Sequence, residues 1–229
     1  MNHSDVRTVD EQLVSVPVGE VILTGNLSVP EDARAVVLFA HGSGSSRHSP
    51  RNRHVARLLN EGGLATLLID LLTIDEDLID MRTARLRFDI ELLSERLVGA
   101  TDWLTQSPDT SHLRIGYFGA STGAAAALVA AALRPDVVGA VVSRGGRPDL
   151  AGAALTRVRA PTLLIVGGDD AQVIQLNREA LAHLHCEKQL FIVPGATHLF
   201  EERGTLDEVA RLARDWFIRH LTPSTRQEA

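Results

Sequence analysis

Only one residue of the 229 is cysteine, Cys186, so no disulfide can close within the chain and a buried core must hold the fold. Basic charge is not in excess either: 23 Lys and Arg stand against 29 Asp and Glu, a formal net charge of −6. A nucleic-acid partner would ask for a basic face, so that class is set aside and a neutral or cationic small molecule fits better. Long apolar runs are missing too. The most apolar one, GAAAALVAAAL from Gly123 to Leu133, is well short of the roughly 20 residues that cross a bilayer. The polar, acidic start MNHSDVRTVDEQ has no apolar core of a secretory signal, and the ending TPSTRQEA carries no lipidation box. The expectation is a cytoplasmic protein with a reduced thiol and no membrane partner.

What is present reads as globular: 45% of residues are apolar, 23% are charged and the mean hydropathy is +0.04. The length suits a single domain over 1–229, with 1–12 expected as a flexible N-terminal segment. Six short apolar runs punctuate the chain: AVVLFA (35–40), ATLLID (65–70), RIGYFGA (114–120), VVGAVVS (137–143), PTLLIVGG (161–168) and QLFIVPG (189–195). They are continuous rather than alternating, the signature of strands covered on both faces of a parallel sheet. Helical spacing fills the gaps, for example over Arg85 to Thr105 and Leu206 to Leu221. Ahead of them, LVSVPVGEVILTGNLSVP predicts an antiparallel pair turning at Gly19-Glu20. The pattern predicts an α/β fold, a doubly wound, mostly parallel sheet with helices on both faces.

Ligands of such sheets gather beyond the carboxyl ends of the strands, so the residues just after each run carry the chemistry. Gly119-Ala120-Ser121-Thr122-Gly123 fits G-x-S-x-G between a strand and an Ala-rich helix, where glycines let a serine stand exposed on a sharp turn. The bland alternative is a glycine-rich turn with an N-cap serine. A serine hydroxyl attacks only when a base takes its proton and an acid orients that base. Asp169 and Asp170 follow the fifth run and His198 follows the sixth, the order Ser, Asp, His with each at a strand end. The loop His41-Gly42-Ser43-Gly44-Ser45-Ser46 can aim the N–H of Ser43 at an oxyanion, with the N–H of Thr122 as its partner. A phosphate cradle is the competing use, but no Lys follows in P-loop position and G-x-G-x-x-G is absent.

Together AHGSGSS, GASTG, PTLLIVGGDDAQV and PGATHLF resemble the α/β-hydrolase superfamily, in particular its dienelactone-hydrolase-like branch of small, nearly capless members. The resemblance covers the chain from Val14 onward. It implies Ser121 as nucleophile, Asp170 as acid, His198 as base, and Ser43 with Thr122 as oxyanion donors, with no cofactor and no metal. Asp170 is preferred to Asp169 because Asp170 and Val173 match the D-x-x-V of the superfamily. Dienelactone hydrolases proper carry cysteine in the elbow where this chain has Ser121, which shifts weight toward ordinary esters. The expected activity is hydrolysis of small carboxylic esters by a monomer or homodimer. Thioesterase, other activated-ester hydrolase and non-catalytic ligand-binding readings stand as alternatives. His41 and Arg144 are candidates for the substrate pocket, with Arg147 also at its border. The basic cluster Arg47, His48, Arg51, Arg53 and His54 is either an anion site or a solvated helix start. His183, His185 and Cys186 do not space as a metal site. With only 17 residues between Ser143 and Pro161, the cover over the site is expected to be minimal, aided by the acidic stretch IDEDLIDM from Ile74 to Met81.

Overall fold

A computed structural model describes residues 10–222 of the chain. The N-terminal segment expected to be flexible therefore falls, for residues 1–9, outside the described residues. Its last two residues, Glu11 and Gln12, already belong to a strand and pair with Ser28 and Leu27.

Eight strands form one sheet: β1 (Glu11–Val18), β2 (Val21–Ser28), β3 (Ala35–Ala40), β4 (Ala65–Ile69), β5 (Arg114–Ala120), β6 (Val138–Arg144), β7 (Thr162–Gly167) and β8 (Lys188–Val193). Their order is β1-β2-β4-β3-β5-β6-β7-β8. The first two are an antiparallel hairpin laid antiparallel on β4, and every later pairing is parallel. The hairpin turns where expected, with Gly19 at φ +58, a conformation glycine adopts without steric cost. The helices are α1 (Pro50–Glu61), α2 (Ile74–Thr83), α3 (Ile90–Gln106), α4 (Thr122–Leu133), α5 (Ala171–His183) and α6 (Thr205–Leu221). Among the described residues no helix is long and apolar enough to cross a membrane.

The pleat divides the apolar runs between two cores. In β3, Val36 and Leu38 join the side chains of α3 and α4, whereas Val37 and Phe39 face α1 and α6. Both faces are covered, which is why these strands read as unbroken apolar runs. Phe39 stacks on Phe118 of β5 with ring centroids 4.9 Å apart. Helix α4 is buried almost all round, which its alanine-rich sequence permits and an amphipathic one would not. Helix α6 instead buries Val209, Ala213, Trp216 and Phe217 along one stripe.

One helix begins later than its periodicity suggests. The expected helix from Arg85 is a short 3₁₀ turn at Leu86–Phe88, a break at Asp89, and then α3. The Asp89 carboxylate accepts the N–H of Leu92 at 3.0 Å, so a capping aspartate ends one element and starts the next. The cover is as slight as predicted: two short 3₁₀ helices over Pro148–Arg157, joined at a kink at Gly152, and helix α2 after β4.

Deep in the sheet, Thr101 gives its hydroxyl proton to Leu97 O at 2.7 Å, so the Tyr117 hydroxyl 2.5 Å away is the donor to Thr101. Both residues are fully buried. Tyr117→Phe removes that donor without stranding one, and should cost about 1 kcal/mol. Thermal denaturation should register it as a fall of about 2–4 °C in Tm.

Candidate active site

The site grows from a forced backbone. Between β5 and α4, Ser121 holds φ +51 and ψ −122, a region costly to any residue with a side chain. The flanking glycines explain how the turn is closed. A Cβ on Gly119 would lie 2.4 Å from Ala124 Cα, and one on Gly123 would lie 2.3 Å from Ala40 O and 2.4 Å from His41 O. Gly42 comes against the other side of the elbow, its missing Cβ only 3.0 Å from Ser121 Cβ. The ends of β3 and β5 are thereby pressed onto the first turn of α4.

Asp170 and His198 meet across 28 residues of sequence, with Asp170 Oδ2 2.7 Å from His198 Nδ1. The other oxygen of Asp170 accepts Val173 N–H at 3.4 Å as the N-cap of α5, so both oxygens are occupied and the carboxylate is fixed. Its neighbour Asp169 is exposed, and its backbone N–H donates to Ala196 O at 2.9 Å. A cavity of about 290 Å³ is lined by Ser121, Asp170 and His198 together with Arg147, Gln172, Val173 and Leu176. The loop after β6 underlies it. Arg144 O accepts the N–H of Ser121 at 3.3 Å, and Gly145, at φ +51, would bring a Cβ within 3.0 Å of His198 O. Asn177, fully buried, secures this loop by giving its amide to Gly146 O and Val173 O at 3.0 and 2.8 Å.

Ser43 and Thr122 are also brought together, but not as two free amides. The N–H of Ser43 donates to Thr122 Oγ1 at 3.0 Å. Both line a second, smaller cavity of about 100 Å³ between the loop after β3 and helix α2, which contributes Ile74, Asp77 and Asp80 to its wall. Helix α2 is anchored there by a capping box of Thr73 and Glu76, by Arg96 on Glu76 at 2.6 Å, and by Arg87 on the buried Asp80 at 2.5 Å. Burial raises the Asp80 pKa, yet the hydrogen bonds and charge of Arg87 outweigh it and hold the carboxyl below its ordinary range.

The two pocket candidates from sequence fare differently. His41 borders the smaller cavity, but its Nε2 accepts Leu71 N–H at 3.1 Å and its Nδ1 faces Gly42 O at 3.0 Å. Both ring nitrogens are therefore spent on the loop. Arg144 lies on the wall of neither cavity. It shares the pleat of Ala140 and Val142, which face α1 and α6. Burial, with the like charge of Arg51 nearby, lowers its pKa to about 10. Arg147 is the arginine of the larger cavity, its guanidinium forked onto Asp149 at 2.9 and 2.8 Å. Within the basic cluster Arg47 pairs with Asp70, Arg51 with Glu201 and Arg53 with Glu11, and His54 Nε2 lies 2.7 Å from an oxygen of Asp207. Among the described residues no three His, Cys, Asp or Glu side chains gather as a metal ion would require.

Comparison with known proteins adds the following. The pattern of the dienelactone hydrolase family matches residues 23–221. The crystal structure of a dienelactone hydrolase from Anabaena variabilis superposes with a TM-score of 0.92 at 65% identity, over 93% of this chain and 99% of that one. Est1E from Butyrivibrio proteoclasticus shares the fold at 16% identity, with a TM-score of 0.74 over 90% of this chain and 98% of its own. A Mycobacterium tuberculosis (strain H37Rv) protein, provisionally named a phosphoribosyl transferase, is 60% identical over 212 residues, 93% of this chain and 47% of its own length. The chain thus spans about half the length of the curated relatives it matches.

His41 makes the fold sensitive to acid. Burial is the main cause of its lowered pKa, outweighing the Gly42 carbonyl and the charges of Asp70 and Asp77, which raise it. Below about pH 6.5 the unfolded chain binds a proton at this ring that the folded chain refuses, so stability falls as pH drops. Half-buried His220 is shifted the same way, again chiefly by desolvation, and adds to the slope. Urea midpoints should decline from pH 7 to 5, and NMR should find the His41 ring titrating below the ordinary histidine value.

Proposed function

The chain belongs to the dienelactone hydrolase family, and from that premise we propose that it hydrolyses small carboxylic esters through a Ser121–His198–Asp170 triad and an acyl-enzyme. The observation that carries this reading is the 2.7 Å contact between Asp170 and His198 Nδ1 on the wall of the cavity that Ser121 also lines. With the carboxylate at Nδ1, that nitrogen keeps the proton and Nε2 is left as the base.

Ser121 Oγ attacks the ester carbonyl while His198 Nε2 takes its proton, and the imidazolium then returns the proton to the leaving alcohol. The resulting acyl-enzyme is cleared by water, activated by the same imidazole. Asp170 keeps the ring in the right tautomer and balances its positive charge. Negative charge on the carbonyl oxygen is met by the first amide of α4, that of Thr122, with the Ser43 loop beside it. The reaction needs no cofactor.

The cavity favours small substrates. About 290 Å³ is at the low end for ligand pockets. Its apolar wall is Val173 and Leu176, which is little to hold a long acyl chain. The phosphoribosyl transferase name belongs to proteins about twice as long. What this chain holds at its sheet edge is a serine elbow, and the hydrolase reading rests on that.

Ser121→Ala should lower kcat by about 10³ or more in a protein that stays folded, and should abolish labelling by a fluorophosphonate. Activity within about tenfold of wild type would refute the serine mechanism. Asp170→Asn should cost far more kcat than Asp169→Asn, because only Asp170 touches the imidazole; the reverse ranking would move the acid. Among p-nitrophenyl esters, kcat/KM should peak between acetyl and butyryl. A steady climb to dodecanoyl would mean a buried acyl tunnel.

A further inference from the structure

Helix α2 carries its apolar side chains on the outside. Of its ten residues only Asp80 is buried. What ties the helix to the body is polar: the capping box of Thr73 and Glu76, Arg96 on Glu76 at 2.6 Å, and Arg87 on Asp80 at 2.5 Å. Ile74 is 80% exposed, Leu78 54%, Ile79 55% and Met81 69%, with Phe88 of the next 3₁₀ turn at 54%. A surface helix ordinarily turns such residues to the core. Singly they would mean nothing, but grouped they mark a contact surface. Their order shows what that surface fits. Ile74, Leu78 and Met81, spaced i, i+4 and i+7, form one stripe, and Asp75 and Arg82 run beside it. Both charged residues are exposed, and among the described residues neither meets an opposite charge. Each pair, Ile74 with Met81 and Asp75 with Arg82, is centred within a residue of Leu78.

We propose that α2 docks on the α2 of a second copy of this chain, antiparallel across a two-fold axis at Leu78. Such an interface is isologous, so every contact off the axis is made twice. Ile74 meets Met81 of the second copy, Leu78 meets its own counterpart, and Asp75 meets Arg82 at both ends. A parallel pairing would instead set Asp75 on Asp75 and Arg82 on Arg82, so the charges choose the antiparallel one. They also disfavour an anionic lipid surface, because Asp75 and Asp77 flank the stripe and the chain has a net charge of −6. With its polar rim the patch is on the order of 600 Å² per copy, small for a specific interface, which sets the dissociation constant in the micromolar range. Dimerisation needs none of the ester chemistry, yet it reaches the site's surroundings. Helix α2 supplies Asp77 and Asp80 to the wall of the smaller cavity, and a docked copy steadies a helix otherwise held by polar contacts.

Sedimentation velocity of the full chain, from about 1 to about 200 µM, should show monomer giving way to dimer as concentration rises. Leu78→Glu places two like charges on the axis and should weaken the dimer about thirtyfold, while glutamate keeps the helix. Asp75→Arg or Arg82→Asp alone makes both end pairs repulsive and should weaken it about tenfold. The double change Asp75→Arg with Arg82→Asp restores both pairs with their signs exchanged, and its dissociation constant should return to within about threefold of wild type. Melting curves should leave every variant folded, since all three positions are exposed. Recovery in the double variant is what a merely sticky patch cannot give. A wild type that stays monomeric at every concentration would overturn the proposal. So would a dimer unmoved by Leu78→Glu, or a double variant no tighter than the single ones. A monomeric wild type that sediments with phosphatidylcholine vesicles would give this face to a membrane and overturn it equally.

Discussion

Two carbonyls, those of Ala40 and His41, come so near Gly123 that no β-carbon fits between them, and much of the functional edge follows from that approach. It draws the end of β3 onto the start of α4, and with Gly119 against Ala124 it leaves the chain no route from β5 to α4 except a sharp one. The serine at the apex takes a backbone conformation it would otherwise avoid. Its strain is carried by an alanine-rich helix buried almost all round and by strands covered on both faces. A looser elbow would relax and lower its side chain back toward the sheet.

Fixed charge is handled with similar economy. Asp170 spends one oxygen on the first turn of α5 and the other on His198, so the rotamer that caps the helix is the rotamer that orients the imidazole. Arg47, Arg51 and Arg53 each find a carboxylate, from Asp70, Glu201 and Glu11, and tie distant segments together instead of offering a basic face. Arg147, forked onto Asp149, is the cation left on the wall beside Ser121.

The sheet was readable because its strands are buried on both faces and so appear as unbroken apolar runs ending in glycine-rich loops. That Ser121, Asp170 and His198 would come to one cavity was readable for the same reason, since position after a strand is itself a coordinate. Other features needed three dimensions. Arg144 and Arg147 differ in sequence by three places, and only the pleat of β6 decides that the first turns toward α1 and α6 while the second borders the cavity. A basic cluster looks free until its partners arrive from distant segments, as Glu201 does for Arg51. The break at Asp89 was visible as a capping residue inside a helical pattern, but the apolar spacing on either side masked it. The hydroxyl of Thr122 gave no signal beyond its place next to the serine, because its partner lies at the far end of another loop.

The conformation of Ser121 also bears on how such a protein would age under different selection. Glycine would sit at φ +51 and ψ −122 without strain, so a single change at this one position would trade turnover for about 1–3 kcal/mol of added stability. A duplicated copy released from its reaction would therefore have a downhill path at residue 121, toward a tougher and inert relative.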